Sequence, residues 1–127
     1  MKSKTKLFLT RRALRDFADI EAFSRNQWGK RVARRYIADL EAGLERICDN
    51  PELLRPEPNL HPALRFYSVA KHLFVCDVDD NAIYLLTVLH ASRDIPSRLH
   101  ERSPDLKLEV EWLRGKLAES KNRGRGH

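Results

Sequence analysis

The sequence predicts an α+β domain in which a helical hairpin packs on a small antiparallel sheet. Three observations lead there: apolar residues recur at helical spacing in two adjacent stretches, a proline-rich stretch follows, and beyond it the period becomes that of extended strands. At 127 residues the chain can bury a real core without metal or disulfide staples, and a single domain is expected.

Leu7, Phe8 and Leu9 form a short apolar run that reads as a strand, with Thr10 placed to cap a helix. Over 11–24, Ala13, Phe17 and Ile20, with Leu14 and Phe23 beside them, make one buried stripe, and Arg12, Arg15, Asp16 and Asp19 fall mostly outside it. Over 28–49, Trp28, Val32, Tyr36, Leu40 and Leu44 recur every four residues and Ile47 follows, so this seam is expected in the core. Pro51 has no N–H and restricts Asn50, which stops the helix. Two helices joined across 25–27 should lie antiparallel.

Residues 51–62 hold four prolines (51, 56, 58 and 62) and read as a connector over the surface. Segments 64–70, 72–78 and 83–90 are rich in Val, Ile, Leu and aromatics and are broken by turns such as Asp79-Asp80-Asn81, giving a three-stranded meander that the first strand joins. Both alternating sets are apolar in its last two strands: Leu73 and Val75 against Phe74 and Cys76, then Ile83 and Leu85 against Tyr84 and Leu86. Both sheet faces therefore need a cover, and the hairpin supplies one. The other falls to the C-terminal part, a second copy or a partner.

Leu106, Val110, Leu113 and Leu117 make a helical stripe behind a Ser103-Pro104 cap pair, although Leu106, Leu108, Val110 and Trp112 also alternate like a strand. An amphipathic helix over 104–120, packed on the chain's own sheet or on a second copy, is the expectation. The organisation predicted is a domain over 1–99, an extension over 100–120, and a disordered basic tail over 121–127 carrying Lys121, Arg123 and Arg125.

Lys plus Arg (24) exceed Asp plus Glu (18) by six, which attracts anions, nucleic acid or an acidic partner. The start of the chain lacks a secretory core, and the longest apolar run, 83–89, is far below the roughly 18 residues a spanning helix needs. A cytoplasmic protein with no membrane partner is expected. Cys48 and Cys76 have no Cys-x-x-Cys spacing and read as buried fillers. Phosphate-binding glycine loops, nucleophile elbows, dinucleotide fingerprints and zinc-ligand helices are absent from the sequence, so no cofactor or metal is expected.

What remains is a set of cations and imidazoles on the sheet: Arg65, Lys71, His72, His90 and Arg93. They fit an RNA phosphate with a histidine moving a proton, or a protein-binding rim, or solvated strand cations with His90 bonded to backbone. Lys30, Arg31, Arg34 and Arg35 lie away from the Trp28 seam, as a solvated helix face or a contact for an acidic partner or nucleic acid. Trp28, Tyr36 and Phe17 sit at core spacing and read as packing, not as a base-stacking platform.

The element order, with ALRDFADI on the first helix, LRFYSV on the sheet and VLHASRDIP at its end, resembles the ParE branch of the RelE/ParE superfamily of type II toxin–antitoxin toxins over 7–99. The resemblance implies a bacterial toxin neutralised by a cognate antitoxin whose C-terminal segment wraps it. ParE-like toxins inhibit DNA gyrase by protein binding, whereas RelE-like relatives cut mRNA on the ribosome, and one fold serves both. This sequence departs from the nuclease pattern in lacking a tyrosine after His90 and in having few sheet lysines. The expectation is therefore a gyrase inhibitor with no catalytic residues, binding target or antitoxin through Arg65, Tyr67, Lys71, His90 and Arg93. The alternatives are a ribosome-dependent endonuclease using Arg65, Lys71, His90 and Arg93, and a toxin fold that retains only antitoxin binding. A homo-oligomer or a toxin–antitoxin hetero-oligomer is compatible with either.

Overall fold

The structure, a computed structural model, describes residues 5–92 and 94–125, with side chains up to residue 114 apart from 103. The strand β1 (Lys6–Leu9) is followed by α1 (Arg11–Trp28) and α2 (Lys30–Asp49). A 3₁₀ turn (Pro51–Leu53) then leads to β2 (Arg55–Glu57), β3 (His61–Val69), β4 (His72–Asp79), β5 (Ala82–His90) and α3 (Ile95–Arg125). The sheet runs in the order β1-β5-β4-β3-β2, with β1 parallel to β5 and the other pairs antiparallel.

Thr10 caps α1 as expected, its hydroxyl accepting from the Ala13 N–H at 3.0 Å. The hairpin turn, however, is at Gly29 and not across 25–27. Gly29 takes φ 91°, a conformation open to glycine, and its N–H closes α1 onto the Arg25 carbonyl at 2.9 Å.

The seam of α2 also differs from the four-residue row. Ala33, Leu40, Gly43, Leu44 and Ile47 are buried, whereas Trp28 and Val32 are exposed. Trp28 ends α1, on the far side of the Gly29 turn, so it is not on α2 at all. Within α2, steps of four overshoot a full turn by about 40° each, which rotates Val32 roughly 120° away from Leu44. Leu14 and Phe23 likewise face out.

The proline-rich connector contributes β2, a fifth strand at the sheet edge paired with β3, where Pro56 lacks an N–H that only an edge strand can spare. The hairpin face of the sheet buries Leu40, Leu44, Ile47, Phe74, Ile83 and Leu85. Cys48 and Cys76 are free and buried, and burial pushes the Cys76 thiol well above its ordinary range, so it packs as an inert filler.

The second sheet face is covered by the chain itself. Ile95 and Leu99 pack on Phe66, Leu73, Val75 and Leu89, while Leu106 and Val110 pack on Ala82, Tyr84 and Leu86. An external partner is therefore not required to cover that face. The helix starts at Ile95, well before the Ser103-Pro104 pair, because Asp94 caps it. Its carboxylate accepts from the Ser97 hydroxyl at 2.8 Å and its carbonyl from the Arg98 N–H at 3.1 Å. Pro104 sits inside α3 and forfeits one helical hydrogen bond. The boundary expected at 99/100 lies within this helix, whose span also enters the 121–127 tail; Leu117 has its side chain outside the described residues.

Candidate functional site

Register places His72 opposite His90 where β4 begins and β5 ends, with ring centroids 5.2 Å apart and nearly perpendicular. Tyr36 reaches this corner from α2, its hydroxyl 2.5 Å from His72 Nδ1. The β3–β4 turn holds Ala70 at φ 53°, a left-handed conformation that costs a side-chain-bearing residue roughly 1–2 kcal/mol. That turn aims the Lys71 N–H at the Tyr36 hydroxyl (3.4 Å) and the Lys71 carbonyl at the Ala91 N–H (2.9 Å). Beyond β5, the Ser92 N–H (3.2 Å) and hydroxyl (2.6 Å) meet His90 Nδ1. Accepting the N–H bond leaves the neutral His90 ring with its proton on Nε2.

The result is a row of phenol, imidazole, imidazole and hydroxyl. Burial, then the neighbouring His90, lowers the His72 pKa to about 4 against the opposing pull of Asp16, so this ring is neutral at neutral pH. Burial raises the Tyr36 pKa, opposed by the bond from Lys71. Chemically the Tyr36–His72 and His90–Ser92 pairs each hold groups able to take or give a proton, the two imidazoles meet only edge to face, and the nearby cation is the exposed Lys71.

The five residues expected to bind target or antitoxin do not form one patch. Lys71 and His90 meet at this corner. Arg65 stands opposite Cys76 and Pro56, with Nη1 3.4 Å from the Leu54 carbonyl. At ~3.3 Å per residue that is roughly 13 Å along β4 from His72. Tyr67 turns to α2, its hydroxyl accepting from Arg46 Nε at 3.0 Å. Arg93 lies outside the described residues. Tyr36 is hidden in the sequence by its place in the apolar row, and only pairing across the sheet brings His72 against His90.

Sequence reasoning also missed Asp16, which is 4% exposed although read outside the stripe. β1 stops at Leu9, so the outer edge of β5 beyond Leu85 lacks a strand. Thr10 donates to the Leu86 carbonyl there at 2.6 Å, and Asp16 Oδ2 accepts from the Val88 N–H at 2.9 Å and the Thr87 hydroxyl at 2.5 Å. Arg12 binds the other carboxylate oxygen at 2.9 Å, and Arg102 of α3 reaches Oδ2 at 3.3 Å and also bonds Thr87. Burial lowers the Arg102 pKa, and Asp16 pulls it back up.

Two more ionic contacts hold α3. Glu109 accepts from the Arg11 N–H and Nε at the positive end of α1, and Arg114 bridges Asp77 (3.0 Å) and Asp79 (3.5 Å) over the Tyr84 ring. Among the described residues no His, Cys, Asp and Glu side chains are grouped to hold a metal ion, and no helix is long and apolar enough to cross a membrane.

The family described as the ParE toxin of the type II toxin–antitoxin system, parDE, matches residues 7–95, ending where α3 begins. Toxin ParE of Escherichia coli is 32% identical over 100 residues, spanning 77% of this chain and 96% of that protein. Toxin ParE1 of Caulobacter vibrioides is 31% identical over 91 residues, spanning 72% and 94%. Among solved structures, a chain from the chromosomal ParDE toxin–antitoxin system of P. aeruginosa superposes with a TM-score of 0.63 at 16% identity, covering 70% of this chain and 98% of that one. A chain from the toxin–antitoxin complex RelBE2 of Mycobacterium tuberculosis superposes at 0.55 and 14%, covering 74% and 97%. These two likenesses establish the fold.

Proposed function

We propose that this chain, which belongs to the ParE toxin family of type II toxin–antitoxin systems, inhibits DNA gyrase by binding it and is neutralised by a cognate antitoxin. The observation that carries this reading is the family match across 7–95, together with 32% identity to a toxin ParE. The antitoxin partner is supported by structural neighbours that come from toxin–antitoxin systems. Binding without bond-breaking is supported by the engagement of the basic groups. Arg65 bonds the Leu54 carbonyl and His90 bonds its own turn, while Lys71 stands well apart from Arg65. Arg65, Tyr67, Lys71 and His90 then act as contact residues.

The test is gyrase supercoiling of relaxed plasmid, with cleaved DNA followed in parallel. The expected result is loss of supercoiling with accumulation of cleaved DNA, reversed by the antitoxin. Unimpaired supercoiling with toxin in large excess over gyrase would overturn the reading.

One observation favours ribosome-dependent RNA cleavage instead, namely the Tyr36–His72–His90–Ser92 row, which has the acid–base groups such a reaction uses. In that case His90→Ala lowers mRNA cleavage by about 10²–10⁴-fold with antitoxin binding intact. Under the gyrase reading, no cleavage exists to lose.

A further inference from the structure

The tip of the helical hairpin combines two features that a solvated surface does not need. Phe23 and Trp28 meet edge to face with centroids 5.9 Å apart, yet they are 59% and 57% exposed. Lys30, Arg31, Arg34 and Arg35 follow within the first two turns of α2, all exposed. Among the described residues none of these four has a carboxylate within ion-pair distance. The first turn of α2 holds no acidic residue, so the cations face one another and the positive end of the helix dipole. At about 100° per residue they fill one sector of roughly 140°, with Val32 about 60° beyond its Arg35 edge.

We infer that this tip is a binding surface for nucleic acid with unpaired bases, the four cations holding the phosphate backbone and Trp28, backed by Phe23, stacking on a base. Three of the four cations are guanidiniums, whose planar donors fit phosphate in pairs. An exposed indole beside them supplies the stacking surface on which sequence-tolerant strand binding depends. A second copy does not fit, because an isologous contact would bring eight unpaired cations together. An acidic peptide would engage the cations but leave the exposed Trp28 ring, backed by Phe23, without a partner, whereas a strand with unpaired bases uses both features. The site is distinct from the His72 corner and independent of the gyrase reading, which is tested in a different assay.

The test uses the full chain and a fluorescein-labelled single-stranded DNA of mixed sequence, followed by anisotropy across a salt series, with the matching duplex and a poly-glutamate peptide as competitors. The expected result is single-strand binding that weakens at least about tenfold when Lys30, Arg31, Arg34 and Arg35 are all changed to Gln. The log–log salt slope should fall by about 3 in magnitude, near 0.7 for each phosphate no longer neutralised. Trp28→Ala should weaken the single strand about fivefold or more, with little effect on the duplex. In a Trp112→Phe background Trp28 is the sole tryptophan, and its emission should be quenched as the strand binds. Circular dichroism should show unchanged helix content in each variant, because the altered side chains are exposed. Lack of binding at low salt, equal binding by the four-Gln or Trp28→Ala variants, or loss on neutralising only Lys121, Arg123 and Arg125 would each overturn the proposal. Tighter binding of poly-glutamate through the same residues would overturn it as well, and assign the tip to an acidic protein.

Discussion

Arg102 and Asp16, 86 positions apart, meet with Nη1 3.3 Å from Oδ2 at the open edge of β5, where α1, the sheet and α3 share a charge pair. The carboxylate does the work of an absent edge strand by accepting the Val88 N–H, and the guanidinium brings α3 to the same point. With the Asp16 carboxylate buried and the Arg102 guanidinium partly so, the pair stabilises mainly through the cost of leaving one side without the other.

Asp16→Ala removes the acceptor for Arg12, Arg102, Thr87 and the Val88 N–H together, so a loss of about 3–5 kcal/mol is expected. Arg102→Met leaves Asp16 with Arg12 and two neutral donors, and its cost should be less than half as large. Urea midpoints at constant m-value compare the two, and equal losses would contradict the central place given to the carboxylate.

Gly43 lies where α2 comes closest to the sheet. A Cβ there would stand 2.6 Å from Val69 Cγ2 and 3.3 Å from the Phe74 ring. Alanine gains about 1 kcal/mol of helix propensity, but Val69 is β-branched and stiff, so overpacking of about 1–3 kcal/mol is set against that gain. Gly43→Ala should therefore lower the melting temperature; a rise would mean the helix can lift off the sheet at little cost.

The His72 pKa of about 4 in the folded chain lies below the 6.5 of the unfolded ring. Between those values the unfolded chain binds more protons, so this group's contribution is fully present above about pH 6.5 and is lost as pH falls toward 4. Unfolding midpoints measured across that window should decline for the wild type and decline less steeply for His72→Gln, whose amide still pairs with Tyr36. Parallel pH profiles would place the sensitivity elsewhere.

Leu106 and Val110 close the second sheet face over Tyr84 and Leu86. Leu106→Ala should cost about 2–4 kcal/mol. Ending the chain after Leu99 should expose that face and produce self-association or low solubility, visible by sedimentation. A stable monomer of unchanged behaviour would show that the sheet does not need α3.

The element order is legible because periodicity, prolines and turn residues act locally. The alternation of Leu73 to Cys76 and Ile83 to Leu86 correctly requires two covered faces, but it leaves three candidates for the second cover. Only the packing of Ile95, Leu99, Leu106 and Val110 selects α3. Two capping signals compete at its start, and the structure uses Asp94, which carries Ile95 and Leu99 onto Phe66 and Leu89. The exposed Trp28 is misplaced because the four-residue row runs across the Gly29 turn, from the end of α1 into α2.

Residues by themselves therefore determined four of the five strands, the helical hairpin, the need for a second cover and the family likeness, since each depends on spacing within a short window, while β2 within the proline-rich connector did not show. The meeting of Asp16 with Arg102, of Tyr36 with His72 and of Arg46 with Tyr67 was decided only by tertiary structure. Polar pairing between distant segments depends on strand register and on the rotation of each helix about its axis, and neither leaves a periodic trace in the sequence.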